Sequence, residues 1–239
     1  MIQDKAKVVI IGGGVIGCSV AYHLSKLGWN DIVLLERKQL TSGTTWHAAG
    51  LIGQLRASAN MTKLAKYTQE LYFDLEKETG VSTGFKRVGS ISVALTNERM
   101  EELKRSAAMA RAFGVDVEEI SPNEIQNRYP HINLERVVGG VFLGKDGQGD
   151  PANIALALAK GARQLGAKIH ERVTITKVFK NQNKVSGVEW TDQHGERGHI
   201  ACEEIVNCAG MWGHSVGKML GTNIPLHACL LYTSPSPRD

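Results

Sequence analysis

The chain has 239 residues, with 28 lysines and arginines against 24 acidic residues and a formal net charge of +4 at pH 7. The excess is spread without any run of five or six like charges, which gives no case for a nucleic-acid or membrane-surface partner. No apolar stretch reaches membrane-spanning length, and the length suits one large domain or two small ones.

The first strand begins within a few residues of Met1, which leaves no room for a signal or transit peptide. Cys18, Cys202, Cys208 and Cys229 show neither C-x-x-C nor zinc spacing. They read as reduced structural thiols of a cytoplasmic protein without a metal site.

Residues 5–36 read as one βαβ unit. Lys7-Val8-Val9-Ile10-Ile11 is the apolar, β-branched run of a strand buried on both faces. It leads into Gly12-Gly13-Gly14-Val15-Ile16-Gly17, a G-x-G-x-x-G. Residues 18–27 carry apolar side chains at helical spacing and stop at Gly28. Residues 31–35 form a second buried strand closing on Glu36. Gly12 permits the tight turn, Gly14 leaves room for a pyrophosphate, and Gly17 lets helix and strand approach. The helix N-terminus offers unpaired N–H groups to phosphates. Glu36 stands where a carboxylate accepts from ribose hydroxyls, and it would repel a 2′-phosphate, which argues against NADP. The unit does not decide between NAD and FAD.

Residues 41–50, TSGTTWHAAG, are small and hydroxylated around one aromatic and one histidine, and can lie against a flat ligand. Residues 58–79 predict an amphipathic helix with Met61, Leu64, Ala65, Thr68, Leu71, Tyr72 and Leu75 on one face, ending at Gly80. From Phe85 the period becomes two: strands over 85–88 and 90–95, then a helix capped by Asn97 and stopped at Gly114. Ser121-Pro122-Asn123-Glu124 has capping-box form. A strand over 137–143 follows. Asp150 caps a helix that begins at Pro151 and runs to Leu165.

Strands over 168–170, 173–180, 184–191 and 199–202 form a β-meander. A separate buried strand over 204–210 delivers Ala209-Gly210 before a helix over 212–220. The chain thus approaches one crevice at Gly12–Gly17, around Thr44–Gly50 and at Ala209–Gly210. Residues 230–239 belong to no element and resemble adapter-derived read-through. Native sequence is therefore expected to end near Cys229, in a truncated protein.

Three motifs, Val9 to Gly17, Glu36-Arg37 and Ile205-Val206-Asn207-Cys208-Ala209-Gly210-Met211-Trp212, resemble FAD-dependent oxidoreductases of the D-amino-acid-oxidase type. Residues 42–51, 71–80, Gly89-Ser90-Ile91 and Asp146-Gly147-Gln148-Gly149-Asp150-Pro151 are similar to the dimethylglycine and sarcosine dehydrogenase branch. The resemblance implies an α/β fold: a Rossmann-like, glutathione-reductase-type sheet with a β-meander. The FAD-binding domain is expected over 1–84 and 149–229, with an inserted α+β part of a substrate domain over 85–148. Cofactor contacts are implied at Gly12, Gly14, Val15, Ile16, Gly17, Glu36, Arg37, Thr44, Thr45, Trp46, His47, Ala49, Gly50, Leu51, Val173, Ala209, Gly210 and Trp212.

In that branch the histidine of Trp-His-Ala-Ala-Gly carries the covalent flavin, here His47. Read from residue type alone, His47 suits a histidine bonding its own loop, Trp46 ordinary packing, and Arg37 a solvated surface arginine.

The implied reaction is oxidative N-demethylation of a small methylated amine, dimethylglycine or sarcosine. Flavin takes a hydride equivalent, and the iminium is hydrolysed or passed to tetrahydrofolate. The electron acceptor, the oligomeric state and any catalytic base stay open. One alternative is another oxidoreductase of this type with non-covalent FAD. The other is a non-catalytic protein resembling the regulatory subunit of pyruvate dehydrogenase phosphatase, whose pattern lacks the Trp-His pair found here.

Overall fold

A computed structural model describes residues 2–228, so Cys229 and the tail expected over 230–239 lie outside the described residues. The chain divides into two compact units, residues up to Trp46 with those from Leu158 onward, and His47–Ala157.

In chain order the elements are β1 (Lys5–Ile11), α1 (Val15–Lys26), β2 (Ile32–Glu36), β3 (Leu51–Ile52), α2 (Ala59–Thr79) and β4 (Ser90–Ala94). Then come α3 (Asn97–Ala112), β5 (Glu118–Ile120), α4 (Pro122–Arg128), β6 (Gly139–Leu143), β7 (Gly147–Gln148) and α5 (Pro151–Gln164). The last are β8 (Lys168–Glu171), β9 (Val173–Asn181), β10 (Lys184–Asp192), β11 (Arg197–Asn207) and α6 (Gly213–Met219).

The first unit is built on a six-stranded sheet in the order β8-β2-β1-β11-β10-β9. β8, β2, β1 and β11 run parallel, while β11, β10 and β9 are antiparallel neighbours. This is the mixed α/β sheet with an attached meander that the sequence implies. Val8, Val9, Ile10 and residues 32–35 are all buried, as central parallel strands require. Alternate residues Val9, Ile11, Val33 and Leu35 share one core with Ile175, Val188, Trp190 and Ile200. α1 contacts β1 and β2 and buries Cys18, Ala21 and Tyr22. Burying one large apolar side chain contributes about 1.5–3 kcal/mol, so this buried strand pair is a firm mount for a site at its carboxyl end.

One strand differs from expectation. The runs 199–202 and 204–210 are not two strands but the single β11, which ends at Asn207. Exposed Glu203 and Glu204 break the apolar pattern without breaking the ladder. Residues 197–201 pair antiparallel with β10, and the ladder to β1 continues through Cys202 and Glu204.

In the second unit β4, β6 and β5 form an antiparallel sheet, and β3 pairs with β7. Leu103, Ala107 and Ala110 of α3 pack with Ala94, Val141 and Leu143. The capping box at Ser121 and Glu124 is present, and Ser58 caps α2, which ends on left-handed Gly80.

Four expectations need correction here. α3 is capped by Thr96, whose hydroxyl accepts from the Arg99 N–H, rather than by Asn97. No strand forms over 85–88, where only Lys86 bridges to Gln148. β5 was not anticipated, since Glu118 and Glu119 mask it. The inward face of α2 keeps Leu71 and Leu75, buried as expected, but Met61 and Leu64 are more than half exposed, while Thr62 and Gln69 are fully buried. Thr62 bonds the Arg56 backbone and the Gln69 amide NH2 donates to the Ile52 carbonyl, while the Gln69 side-chain oxygen is buried without a hydrogen-bond partner. Among the described residues no helix is long and apolar enough to cross a membrane.

Candidate functional site

The carboxyl ends of β1, β2 and β11 meet at a cavity of about 410 Å3 in the first unit. β1 lies between β2 and β11, so this is where strand order reverses and an open α/β sheet accepts a ligand. The lining comes from Ile11, Gly12 and Gly14, from Leu35 to Lys38, from Ser42 to Thr45, from Val173 to Ile175, and from Cys208 to Trp212. Ser215, Val216 and Met219 of α6 complete it.

The glycine turn has steric causes. Gly12 has φ +109°, and a Cβ there would collide with the Cys208 carbonyl. A Cβ on Gly17 would collide with the Gly12 carbonyl, fixing how closely α1 approaches β1. Gly14 is the N-cap of α1 and supplies no side-chain cap. The Val15 N–H donates instead to the Thr45 hydroxyl at 3.0 Å. Thr45 is thereby tied to the positive end of α1, a natural anion site.

Glu36 is held by backbone on both oxygens: one accepts from the Gly13 N–H at 2.6 Å, the other from the Lys38 N–H at 2.8 Å. Each oxygen keeps a further lone pair for a hydroxyl donor. The Arg37 guanidinium stacks 3.8 Å from the Trp212 ring centroid, with both residues on the cavity wall. Trp212 closes a 3-10 turn, Gly210–Trp212. Asn207 braces that turn: its carbonyl oxygen accepts from the Ala209 N–H, and its amide donates to the Gly213 carbonyl. Asn207 was not anticipated as an organiser, though an asparagine at a strand end before a small-residue turn is a usable signal.

Of the anticipated residues, Gly12, Gly14, Glu36, Arg37, Thr44, Thr45, Val173, Ala209, Gly210 and Trp212 line the cavity. Val15, Ile16 and Gly17 sit beside it in the first turn of α1. Trp46 and His47 lie in a 3-10 turn, Thr45–His47, and are exposed. His47, Ala49, Gly50 and Leu51 belong to the second unit and are not part of this lining. Lys38, Ser42, Gly43, Thr174, Ile175, Cys208, Met211 and the α6 residues line it without having been foreseen.

Burial pushes the Cys18 thiol up to about 12 and the Cys202 thiol up to about 11, and it also raises Cys208. All three are free and stay protonated at neutral pH, so Cys208 contributes shape to the cavity rather than a nucleophile.

A family model described as FAD dependent oxidoreductase matches residues 7–238. The mitochondrial pyruvate dehydrogenase phosphatase regulatory subunit of Mus musculus is 43% identical over 227 residues, 94% of this chain and 25% of that protein. The mitochondrial sarcosine dehydrogenase of Homo sapiens is 41% identical over 233 residues, 95% of this chain and 25% of that protein. The chain therefore spans about a quarter of the length of these curated relatives. Among solved structures, L-proline dehydrogenase from P. horikoshii superposes with a TM-score of 0.84 at 26% identity, covering 92% of this chain and 57% of that one.

Proposed function

We propose, from the premise that this chain belongs to the FAD-dependent oxidoreductase family, that it binds FAD through the first-unit cavity and oxidises the N-methyl group of a small amino acid such as sarcosine or dimethylglycine. The observation that carries the reading is the convergence on one cavity of the α1 N-terminus, the backbone-held Glu36 and the Arg37–Trp212 stack.

The residues present fit the adenosine diphosphate half of FAD. Gly12, Gly14 and the N–H groups of Ile16 and Gly17 take the pyrophosphate, helped by the hydroxyls of Thr44 and of Thr45, which the Val15 N–H holds in place. Glu36 accepts from the ribose. Val173 and the Arg37–Trp212 stack flank the adenine side, with Ala209 and Gly210 closing the turn opposite. When bound, FAD supplies the acceptor for a hydride equivalent.

The rest of the reaction asks the protein to hold the substrate's N-methyl carbon in reach and to keep its amine neutral. The substrate's iminium then meets water, or tetrahydrofolate in a longer chain. Residues 1–84 with 149–229 are proposed as the FAD-binding portion and 85–148 as part of a substrate-facing one. Free thiols accord with a reducing compartment, whether the cytoplasm or the mitochondrial setting that the relatives' names give.

Support for the N-methyl branch comes from residues 42–51 and from the identity to sarcosine dehydrogenase. On this reading His47, with Trp46, Ala49, Gly50 and Leu51 around it, meets the flavin. In that role the imidazole would hold the flavin through a C–N bond replacing one C–H bond of its ring methyl group, with the proton released to solvent and the two electrons to the protein's electron acceptor.

Acid precipitation of the purified protein tests this. Yellow flavin should stay in the pellet, and the His47→Ala variant should release it while still binding FAD reversibly. Sarcosine or dimethylglycine should then bleach the flavin. Flavin released from the parent protein would remove the covalent assignment, and bleaching only by glycine, D-amino acids or glycerol-3-phosphate would select another branch.

A second reading rests on the identity to a regulatory subunit: a protein that keeps the cavity without turnover. FAD bound but never bleached by any of these substrates would favour it.

A further inference from the structure

The second unit contains a buried polar cluster that no step above uses. Asp146 is 8% exposed, Gln54 3% and Gln69 fully buried. One Asp146 oxygen accepts from the Gln54 backbone N–H at 2.8 Å and, more weakly, from the Gln69 side-chain amide at 3.4 Å. The other accepts from the Ser90 hydroxyl at 2.7 Å. The Asp146 carbonyl accepts from the Gly89 N–H at 2.7 Å, and the Gln69 amide also donates to the Ile52 carbonyl. A single buried carboxylate therefore joins the start of β4, the middle of α2 and the backbone just beyond β3.

These contacts extend a ladder. The Gly149 N–H donates to the Gly50 carbonyl at 2.9 Å, and Leu51 and Ile52 pair antiparallel with Gln148 and Gly147. Gly50 has φ +74°, and a Cβ there would collide with the Gly149 carbonyl, so this rung tolerates only glycine. Backbone pairing stops at Ile52, and the Asp146 side chain supplies the next rung at Gln54. Residues 50–54, which begin three positions after His47, are thus held by residues 146–149.

We infer that Asp146 is a positioning residue: its carboxylate fixes the Gly50–Gln54 segment and so sets the His47 imidazole for attachment to the flavin. This rests on the reading of His47 as the flavin-linked residue. The role needs an acceptor for Gln54 and a partner for Ser90 rather than a charge as such. An asparagine meets that need, with its oxygen facing Gln54 and its NH2 donating to the Ser90 hydroxyl.

The test compares Asp146→Ala, Asp146→Asn and Ser90→Ala, each produced with FAD present. Two quantities are read: acid-stable flavin as a share of total bound flavin, and hydrogen exchange at residues 50–54. Displacing a reacting group by about 1 Å can cost around a hundredfold in rate. Asp146→Ala should therefore lose roughly nine-tenths or more of its acid-stable share while extractable FAD still binds, with faster exchange over 50–54. Asp146→Asn should restore both quantities, and Ser90→Ala should fall between.

If Asp146→Ala does not fold, Ser90→Ala decides, through a lowered acid-stable share at unchanged total flavin. A folded Asp146→Ala with the parent's share overturns the inference, as does a loss that asparagine fails to rescue. Flavin that acid releases from the parent protein overturns the His47 reading and the attachment role together, and is seen before any variant is made.

Discussion

Glu36 in the first unit and Asp146 in the second are both carboxylates whose oxygens hold backbone, yet they end in opposite states. Glu36 binds two N–H groups, is only half-buried and lines a cavity. Asp146 receives an N–H, an amide and a hydroxyl, and almost none of it reaches solvent. The first is fixed in place with acceptor capacity left for a ligand. The second makes its bonds to protein out of reach of solvent and would act on a ligand only through the segment it holds. The difference lies in access: a carboxylate on a cavity wall can still accept from a ligand, and one buried among protein donors cannot.

The largest effect that would break this contrast is on stability. Asp146→Ala strands the buried Gln54 N–H, at about 1–3 kcal/mol, and removes the acceptor of the half-buried Ser90 hydroxyl. Glu36→Ala exposes its N–H partners beside a cavity that admits water, and should cost about 1 kcal/mol or less. Urea unfolding of the two variants should keep that order, and the reverse order would remove the distinction.

A smaller effect sharpens the recognition side. Trp212→Ala removes the stack on Arg37, worth about 0.5–1 kcal/mol at a partly exposed site, and should weaken FAD binding roughly two- to fivefold. Unchanged affinity would make the stack a surface feature.

The contrast also explains what was legible in the sequence. The glycine turn, Glu36, the Ser121 capping box and the Gly80 stop are readable because each is fixed by residues within a few positions, or by one βαβ unit. Asp146 could be read as part of a motif, but its partner Gln54 is 92 residues away in sequence, and no local pattern announces such a bond. The same holds for the face of α2, where buried Thr62 and Gln69 stand in place of the expected Met61 and Leu64 beside a stripe that keeps Leu71 and Leu75. β11 was split in two because its glutamates interrupt hydrophobicity, whereas a ladder depends on backbone pairing. The α6 residues reach the cavity after a turn braced by Asn207, whose direction only the folded chain defines.

The central claim is that the first-unit cavity recognises the ribose of FAD through Glu36. The measurement that tests it most directly is the dissociation constant of FAD for Glu36→Ala against the parent protein, with unfolding midpoints compared alongside. Hydrogen bonds to a charged acceptor are worth about 1.5–3 kcal/mol, so the account predicts binding weakened at least about tenfold in a variant that remains folded. Equal affinity in the two proteins would contradict it and leave Glu36 as a residue that only braces the glycine turn.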